Sequence, residues 1–257
     1  MSTEPRIRRY RSDEDDFFAP SGKPPRVPDG YRWVRTDPLF RLLSAGIYGA
    51  ALVFSTVYCR LFLHVRIRGA AKLRRVKGGL FLYGNHTQPV GDVFDPALAC
   101  FPKRIYTVVS PANLALPVIG KLLPYLGALP VADTVQGTKE LTKAIGHRLE
   151  QGCGIVIYPE AHVWEYYTGI RPFSETAFKF PVKYGAPVYS MTTTYQKRRW
   201  GKKPAITLVI DGPFEAGTGS PREQAIRLRD GVYARMKERS GDSTCAYIQY
   251  VKEQAAE

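Results

Sequence analysis

Residues 79–92 read Gly-Leu-Phe-Leu-Tyr-Gly-Asn-His-Thr-Gln-Pro-Val-Gly-Asp, and the rest of the chain can be interpreted outward from them. The apolar run 80–83 has the composition of a buried strand. His86 follows that strand, and Asp92 comes a few residues later. An imidazole can take a proton from a hydroxyl at neutral pH, and a carboxylate can hold its tautomer. The stretch indicates a general-base pair, although a turn histidine beside a helix-capping Asp fits the same letters.

Strand and helix patterns alternate along the rest of the chain. Besides 80–83, five segments predict strands: 65–69, 104–109, 155–158, 187–194 and 205–211. The segments that predict helices are 92–101, 112–126, 134–151, 174–185 and 220–240. This alternation predicts one α/β domain with a mixed, mostly parallel sheet flanked by helices.

Two acidic residues look like helix caps. Asp95 followed by Pro96 is typical of an N-cap residue followed by Pro at the first helical position. Asp92 is then expected in the loop before that helix, where it is available to His86. Asp133 stands where the helix beginning at Thr134 needs an N-cap. Capping is therefore the favoured role of Asp133.

The N-terminal part of the chain differs from the α/β part. Residues 1–37 are polar and rich in Pro and charge, which predicts a largely disordered tail. Residues 42–59 carry no charge and, as a helix, span about 27 Å, the lower limit for crossing a bilayer. We favour a monotopic helix in the membrane interface over a single span or a buried helix. The predicted division is 1–37 tail, 38–64 membrane-associated segment and 65–257 catalytic α/β domain.

A net charge of +14 predicts an anionic partner. Residues 60–77 contain seven basic and no acidic side chains and directly follow the apolar run, which favours an anionic membrane surface. A second basic cluster comprises Lys197, Arg198, Arg199, Lys202 and Lys203. Nucleic acid is disfavoured, because the apolar run has no role there and no nucleic-acid-binding signature is present. Three of four cysteines lie in apolar runs, which indicates buried thiols in a reducing compartment and hence the cytoplasmic face of the membrane.

Three motifs in order resemble the 1-acylglycerol-3-phosphate acyltransferase family and its glycerolipid acyltransferase relatives. They are Asn85-His86 with Asp92, Pro159-Glu160, and the apolar Pro-Val strand that begins at Pro187. The resemblance covers roughly residues 60–215 and implies acyl transfer from a thioester, with His86 as the base, Asp92 as its partner and a membrane-docking helix near the N-terminus. It also implies that Glu160 helps to bind the polar head of the acceptor, and Asn85 is a further candidate for substrate binding.

The chain departs from the family pattern at two motifs. Five residues rather than four separate His86 from Asp92, so Gly91 takes the family's Asp position. Asp133 replaces the Arg that, in the family, is thought to hold the acceptor phosphate. Other cations are then needed for a phosphorylated acceptor, and the candidates in order of preference are Arg171, Lys139 and Arg104.

The expected function is a membrane-associated O-acyltransferase that moves a fatty acyl group from acyl-CoA or an acyl-carrier protein to a lysophosphatidic-acid-like hydroxyl. Alternatives are the same chemistry on another lysolipid or glycolipid acceptor, and a non-catalytic protein that binds anionic lipid. No cofactor and no metal are expected, because the His and Cys residues lack ligand spacing.

Overall fold

The computed structural model describes residues 6–18, 26–28, 30–199, 201 and 203–253. The strands are, in chain order, β1 (Arg6–Tyr10), β2 (Arg66–Arg68), β3 (Leu80–Gly84), β4 (Ile105–Val109), β5 (Ala128–Pro130), β6 (Gly154–Ile157), β7 (Val188–Gln196), β8 (Ala205–Phe214) and β9 (Ile248–Lys252). The α-helices are α1 (Pro38–Val57), α2 (Ala70–Arg74), α3 (Gly91–Cys100), α4 (Ile119–Leu126), α5 (Val135–Glu150), α6 (Lys179–Tyr184) and α7 (Pro221–Ser240). A π-helical segment (Tyr58–Leu63) extends α1, and 3₁₀ turns cover Pro111–Ala115 and Glu175–Phe178.

Seven strands form one sheet in the order β2-β8-β7-β3-β6-β4-β5. Neighbouring strands are parallel except β7 and β8, which are antiparallel. The expected mixed, mostly parallel sheet flanked by helices is thus confirmed. Because β3 lies between β6 and β7 and is buried along its whole length, the loop after β3 starts from the middle of the sheet.

Side chains of β3 alternate between two cores on opposite faces of the sheet. Phe81 and Tyr83 pack in the core that contains side chains of α5 and α7. Leu80 and Leu82 pack in the core that contains α3 and, at its margin, Tyr48 of α1. Helices therefore cover both faces, as a sheet buried on both sides requires.

Helix α1 and its π-helical extension lie against the protein along one side only. Ser44, Ser55 and Cys59 are buried, and α1 packs against α3 and α4. The opposite side exposes large apolar residues: Leu39, Leu42, Leu43, Val53, Phe54, Val57, Leu61 and Phe62. The 26-residue stretch Pro38–Leu63 is long and apolar enough to cross a membrane by length and composition. It fits the docking helix expected near the N-terminus.

Part of the predicted tail is ordered. Residues Arg6–Tyr10 form β1, which pairs in parallel with β9 in a separate two-stranded sheet. Tyr10 and Phe17 then pack edge-on against the indole of Trp164. The prediction of a largely disordered segment 1–37 is therefore wrong for these residues, because aromatic contacts distant in sequence hold them. Residues 1–5, 19–25 and 29 of that segment, and Lys202 of the second basic cluster, lie outside the described part of the chain.

Candidate active site

His86 and Asp92 meet at the carboxyl end of β3. His86 Nδ1 lies 2.8 Å from Asp92 Oδ2, and the imidazole is 22% exposed whereas the carboxylate is 2% exposed. With Nδ1 bonded to Asp92, Nε2 is the ring nitrogen left for a substrate. The predicted pair therefore exists as a geometric unit, although Asp92 occupies the first turn of α3 rather than the loop before it.

The turn between the two residues gives Asp92 its place. The backbone N–H of Gln88 donates to Asp92 Oδ2 at 2.9 Å, so that one oxygen accepts hydrogen bonds from both the backbone and the imidazole. A Cβ at Gly91 would clash with the Gln88 side chain. The absence of a side chain at Gly91 thus lets this turn close tightly.

Tyr158, at the end of β6, supports both members of the pair. Its ring stacks on the His86 imidazole with centroids 4.5 Å apart and planes 19° apart. Its hydroxyl donates to the backbone carbonyl of Asp92 at 2.6 Å. Sequence reasoning missed this residue, although its position directly before Pro159-Glu160 at a strand end was a signal.

Asp95 does not cap a helix, which corrects the prediction. It is buried inside α3, where Oδ2 accepts from Gln88 Nε2 at 2.9 Å and Oδ1 from the Cys59 thiol at 3.4 Å. Burial, and then the nearby Asp92 carboxylate, raise the pKa of Asp95 to about 7. The cause of the error is Pro96, which lies inside α3 rather than at its first position. Pro96 lacks the N–H that would bond the Asp92 carbonyl in a regular helix, and the Tyr158 hydroxyl donates to that carbonyl instead.

Glu160 holds the backbone of the His86 loop. Its Oε2 accepts from the backbone N–H of His86 at 3.1 Å, and its Oε1 from the backbone N–H of Arg171 at 3.0 Å. Burial raises the pKa of Glu160, while the Arg171 guanidinium opposes that rise. Both oxygens are engaged inside the protein. Glu160 is therefore a positioning residue, and the expected contact with the acceptor head is not available to it.

Arg171 is not available to a substrate phosphate. The residue is 1% exposed and its guanidinium lies 3.4 Å from Glu160 Oε2. It also donates to the backbone carbonyls of His162 and, at 3.1 Å, Asp13. Its choice as first phosphate ligand is wrong, because sequence spacing did not reveal that it neutralises the buried Glu160.

The other candidate residues separate in space. The Asn85 side chain is hydrogen-bonded to the backbone of Thr193 in β7: its Nδ2 donates to the carbonyl at 3.2 Å, and its Oδ1 accepts from the N–H at 2.7 Å. Asn85 therefore holds the His86 loop against β7 rather than facing a substrate. Arg104 precedes β4, at the amino edge of the sheet, opposite to His86. Lys139 is exposed in α5, which starts from the carboxyl end of β5. That strand is three positions from β3, which places it roughly 14 Å away. Of Arg104 and Lys139, only Lys139 therefore lies toward the edge of the sheet that carries His86.

Asp133 does not cap α5. Thr134 is the N-cap, and its hydroxyl accepts from the Gly137 N–H at 3.0 Å. Asp133 instead pairs with Arg26 at 3.0 Å on the surface. The capping prediction was wrong by one residue, because Thr and Asp both satisfy a helix N-terminus.

The part of the chain that the structure describes contains no group of three His, Cys, Asp or Glu side chains that could hold a metal ion. Near His86, the surface is apolar instead. Val90 and Val93 are exposed, and Phe94 packs on Phe54 and Tyr58 of the apolar helical stretch. The candidate site thus opens beside the exposed side of α1 and its extension.

Comparison with known proteins identifies the family. The sequence profile of the Acyltransferase family matches residues 64–194, about half of the chain, including His86, Asp92 and Glu160. The chain belongs to the Acyltransferase family. A search of curated proteins found no match.

The fold of this acyltransferase is similar to that of an enzyme of known structure. The crystal structure of the 1-acyl-sn-glycerophosphate (LPA) acyltransferase PlsC from Thermotoga maritima superposes with a TM-score of 0.51 at 16% identity. The match covers 78% of this chain and 95% of PlsC. The family resemblance inferred from the sequence motifs is thereby confirmed.

Proposed function

We propose that this acyltransferase moves a fatty acyl group from a thioester to the hydroxyl of a lysophosphatidic-acid-like acceptor at a membrane surface. The observation that carries the proposal is the His86–Asp92 contact of 2.8 Å at the end of the central strand, within the segment that matches the family. The substrate class named for PlsC adds support for the acceptor.

The reaction needs one proton relay. The acceptor hydroxyl attacks the thioester carbonyl while Nε2 of His86 takes the hydroxyl proton. The tetrahedral intermediate collapses, the C–S bond breaks, and the imidazolium returns the proton to the leaving thiolate. Atoms balance without a cofactor, and the donor is acyl-CoA or an acyl-carrier protein.

Asp92 has two tasks in this reaction. Its Oδ2 atom keeps the His86 proton on Nδ1, which leaves Nε2 as the base, and its charge stabilises the imidazolium. Tyr158 stacks on the imidazole and donates to Asp92, which limits rotation of the ring. Glu160 fixes the backbone from which the imidazole projects.

Docking to the membrane uses the exposed side of α1 and its extension. Val53, Phe54, Leu61 and Phe62 are each more than half exposed, and the basic segment 60–77 overlaps the end of this stretch. Hydrophobic insertion and attraction to anionic headgroups reinforce one another in such an arrangement. We assign the cytoplasmic leaflet, because its anionic lipids complement the net charge of +14.

The acceptor phosphate needs a cation at the carboxyl edge of the sheet. Lys139 is exposed, and its helix starts at that edge. Asp133 near the start of the same helix is paired with Arg26, which offsets the negative charge of that carboxylate. A different lysolipid or a glycolipid is the second candidate acceptor, favoured by the Asp at the family's Arg position.

Radiolabelled acyl-CoA and an acceptor panel test the proposal. Purified full-length protein in detergent should acylate lysophosphatidic acid faster than lysophosphatidylcholine or a glycolipid. Lys139→Gln should raise the KM for lysophosphatidic acid and leave that for acyl-CoA unchanged. Lys143→Gln, one helical turn further, is the matched control. If the protein preferred an acceptor without a phosphate monoester, that acceptor class would replace lysophosphatidic acid in the proposal. If it acylated no acceptor, the conclusion would be a non-catalytic lipid-binding protein.

A further inference from the structure

A second site lies at the opposite edge of the sheet from His86. A cavity of about 570 Å³ opens there and is lined by Arg35, Arg41, Arg104 and Arg148, which we call the arginine pocket. Its volume is within the range of small-molecule sites. Arg104 precedes β4, whereas His86 follows β3. A five-residue strand is roughly 17 Å long, so the arginine pocket is separate from the candidate active site.

The charge of the arginine pocket is uncompensated. No carboxylate lines the cavity, and in the described part of the chain none of the four guanidinium groups pairs with a carboxylate. The two nearest acidic residues in sequence are Asp37 and Glu150. Asp37 accepts from the Phe40 N–H as the N-cap of α1, and Glu150 is exposed and does not line the cavity. Four like charges around one cavity repel one another, so an anion bound among them lowers the electrostatic free energy.

The arginine pocket is also built rather than incidental. Arg148 is only 9% exposed, and its guanidinium lies over the Tyr106 ring with Cζ 4.4 Å from the centroid. Arg104 is held by Ser44 Oγ at 2.7 Å and the carbonyl of Tyr125 at 2.9 Å. Arg148 Nη1 donates to Gln151 Oε1 at 2.8 Å. Fixed guanidinium groups with no carboxylate beside them are suited to phosphate, which accepts paired N–H groups from Arg.

The mouth of the pocket lies on the docking helix. Arg41, Leu42 and Ser44 of α1 contribute to the lining, and Leu42 is 71% exposed. Leu39 and Leu43 beside it are exposed as well. A phospholipid whose chains lie along these leucines brings its phosphate to the level of the guanidinium groups. Soluble phosphates gain no such apolar contact.

We propose that the arginine pocket binds the phosphate headgroup of an anionic bilayer lipid and so fixes the amino-terminal end of α1 on the membrane. The inference rests on the proposed docking through α1 but not on the acyl-transfer chemistry. The pocket and the candidate active site then lie near opposite ends of one 20-residue helix, about 30 Å long. Binding at the first site would set the orientation of the second relative to the bilayer.

Co-sedimentation of the full chain with vesicles tests the proposal. The affinity for vesicles of phosphatidylcholine alone measures docking through α1. The increase in affinity when the vesicles also contain phosphatidic acid measures binding of the anionic headgroup. Arg41→Gln and Arg148→Gln should each lower the affinity for the acidic vesicles at least about tenfold, the contribution of a hydrogen bond to a charged group. Arg75→Gln removes an exposed charge in the basic segment 60–77 and is the matched comparison, because it should cost only the factor of about five that one Arg near an anionic surface contributes without binding a headgroup.

Other outcomes would overturn the inference. Equal losses for Arg41→Gln and Arg75→Gln would mean diffuse attraction, and full competition by inorganic phosphate or CoA would mean a soluble ligand. Arg41 is exposed at the mouth, so its substitution remains informative if Arg148→Gln does not fold. If the wild-type protein did not co-sediment with phosphatidylcholine vesicles, docking through α1 would be contradicted. Acyl transfer measured in detergent tests the proposed chemistry separately.

Discussion

Asp92 and Gln88 are joined by the hydrogen bond that closes the loop after β3: the Gln88 N–H donates to Asp92 Oδ2, the same oxygen that lies 2.8 Å from His86 Nδ1. The Gln88 side chain extends the network by donating to Asp95, which in turn accepts from Cys59 at the end of the docking helix. Four residues thus connect the π-helical extension of α1 to the imidazole. This network allows the roles of the two aspartates to be separated by substitution.

Replacing the base should abolish most activity. His86→Ala should lower kcat at least about 100-fold, the usual contribution of a general base. The fold should persist, because the imidazole is partly exposed at the end of a strand. The measurement is acyl transfer from labelled acyl-CoA by variants with wild-type circular dichroism. His147→Ala, which removes a histidine of α5 whose side chain bonds Gln151, is the control and should stay active. A folded, fully active His86→Ala protein would refute the mechanism.

The two aspartates should differ in their effect on turnover. Asp92→Asn removes the negative charge that stabilises the imidazolium and should lower kcat at least about 100-fold. Asp95→Asn should cost less than about tenfold, because Asp95 contacts Gln88 and Cys59 and not the imidazole. Steady-state kcat of the two variants, measured side by side, checks the order. If Asp95→Asn were the inactive variant, Asp95 and not Asp92 would be the partner of the base.

Asp95 should also make the free energy of unfolding depend on pH. Its pKa is raised from 3.8 to about 7 in the folded protein. Between those values the folded state binds the proton more tightly than the unfolded state, so the free energy of unfolding falls as pH rises. The limiting slope for one group is about 1.4 kcal/mol per pH unit. Above the folded pKa this contribution of Asp95 is lost.

Urea unfolding at several pH values checks this slope. Asp95→Asn should flatten the decline between pH 3.8 and about 7, because the substituted residue does not titrate. Glu215→Gln, at an exposed carboxylate, is the control and should leave the profile as in the wild type. Parallel profiles for wild type and Asp95→Asn would contradict the assignment.

The sequence predicted the scaffold and the reacting pair but not their support. A local apolar run is sufficient to identify β3, because burial on both sides of a sheet demands continuous apolar residues. An apolar stripe at helical spacing, Leu141, Ile145 and Leu149, identifies α5. His86 and Asp92 are close in sequence, so their contact was inferable. The partners of Glu160 and Arg171 were not, because residues far apart in the chain, among them His86 and Asp13, supply their hydrogen bonds. Motif spacing contains no information about such distant contacts.

The buried Glu160–Arg171 pair should matter for stability more than for acceptor binding. Arg171→Ala leaves a buried carboxylate without its cation, which costs about 3–5 kcal/mol. Activity should fall through kcat, because Glu160 also holds the His86 amide, while the acceptor KM changes little. Glu140→Ala, which breaks the exposed pair with Lys143, should cost less than about 1 kcal/mol.

Urea unfolding and steady-state kinetics distinguish the two roles of Arg171. Arg171→Leu combined with Glu160→Gln should recover part of the stability lost in Arg171→Ala, since no unpaired charge is then buried. A stable Arg171→Ala protein with a strongly raised acceptor KM would restore Arg171 as a phosphate ligand.

The docking helix should lie on the membrane rather than cross it. Ser44, Ser55 and Cys59 are buried against the protein, so one side of Pro38–Leu63 is already occupied and only the other can enter lipid. Release from anionic vesicles should therefore require both high salt and detergent, and alkaline carbonate should extract the protein. Deleting residues 38–60 would not be a clean test, because it removes the contacts of α1 with α3 and α4.

Single substitutions on the exposed side give the sharper experiment. Val53 is 67% exposed on α1, and Val135 is 75% exposed at the start of α5, whose buried side chains pack on the other face of the sheet. Val53→Gln should weaken binding to phosphatidylcholine vesicles about tenfold, because burial of one such side chain contributes about 1.5 kcal/mol. Val135→Gln should leave vesicle binding unchanged. Equal behaviour of the two variants would show that α1 is not the docking surface, and resistance of the wild type to carbonate would establish a span instead.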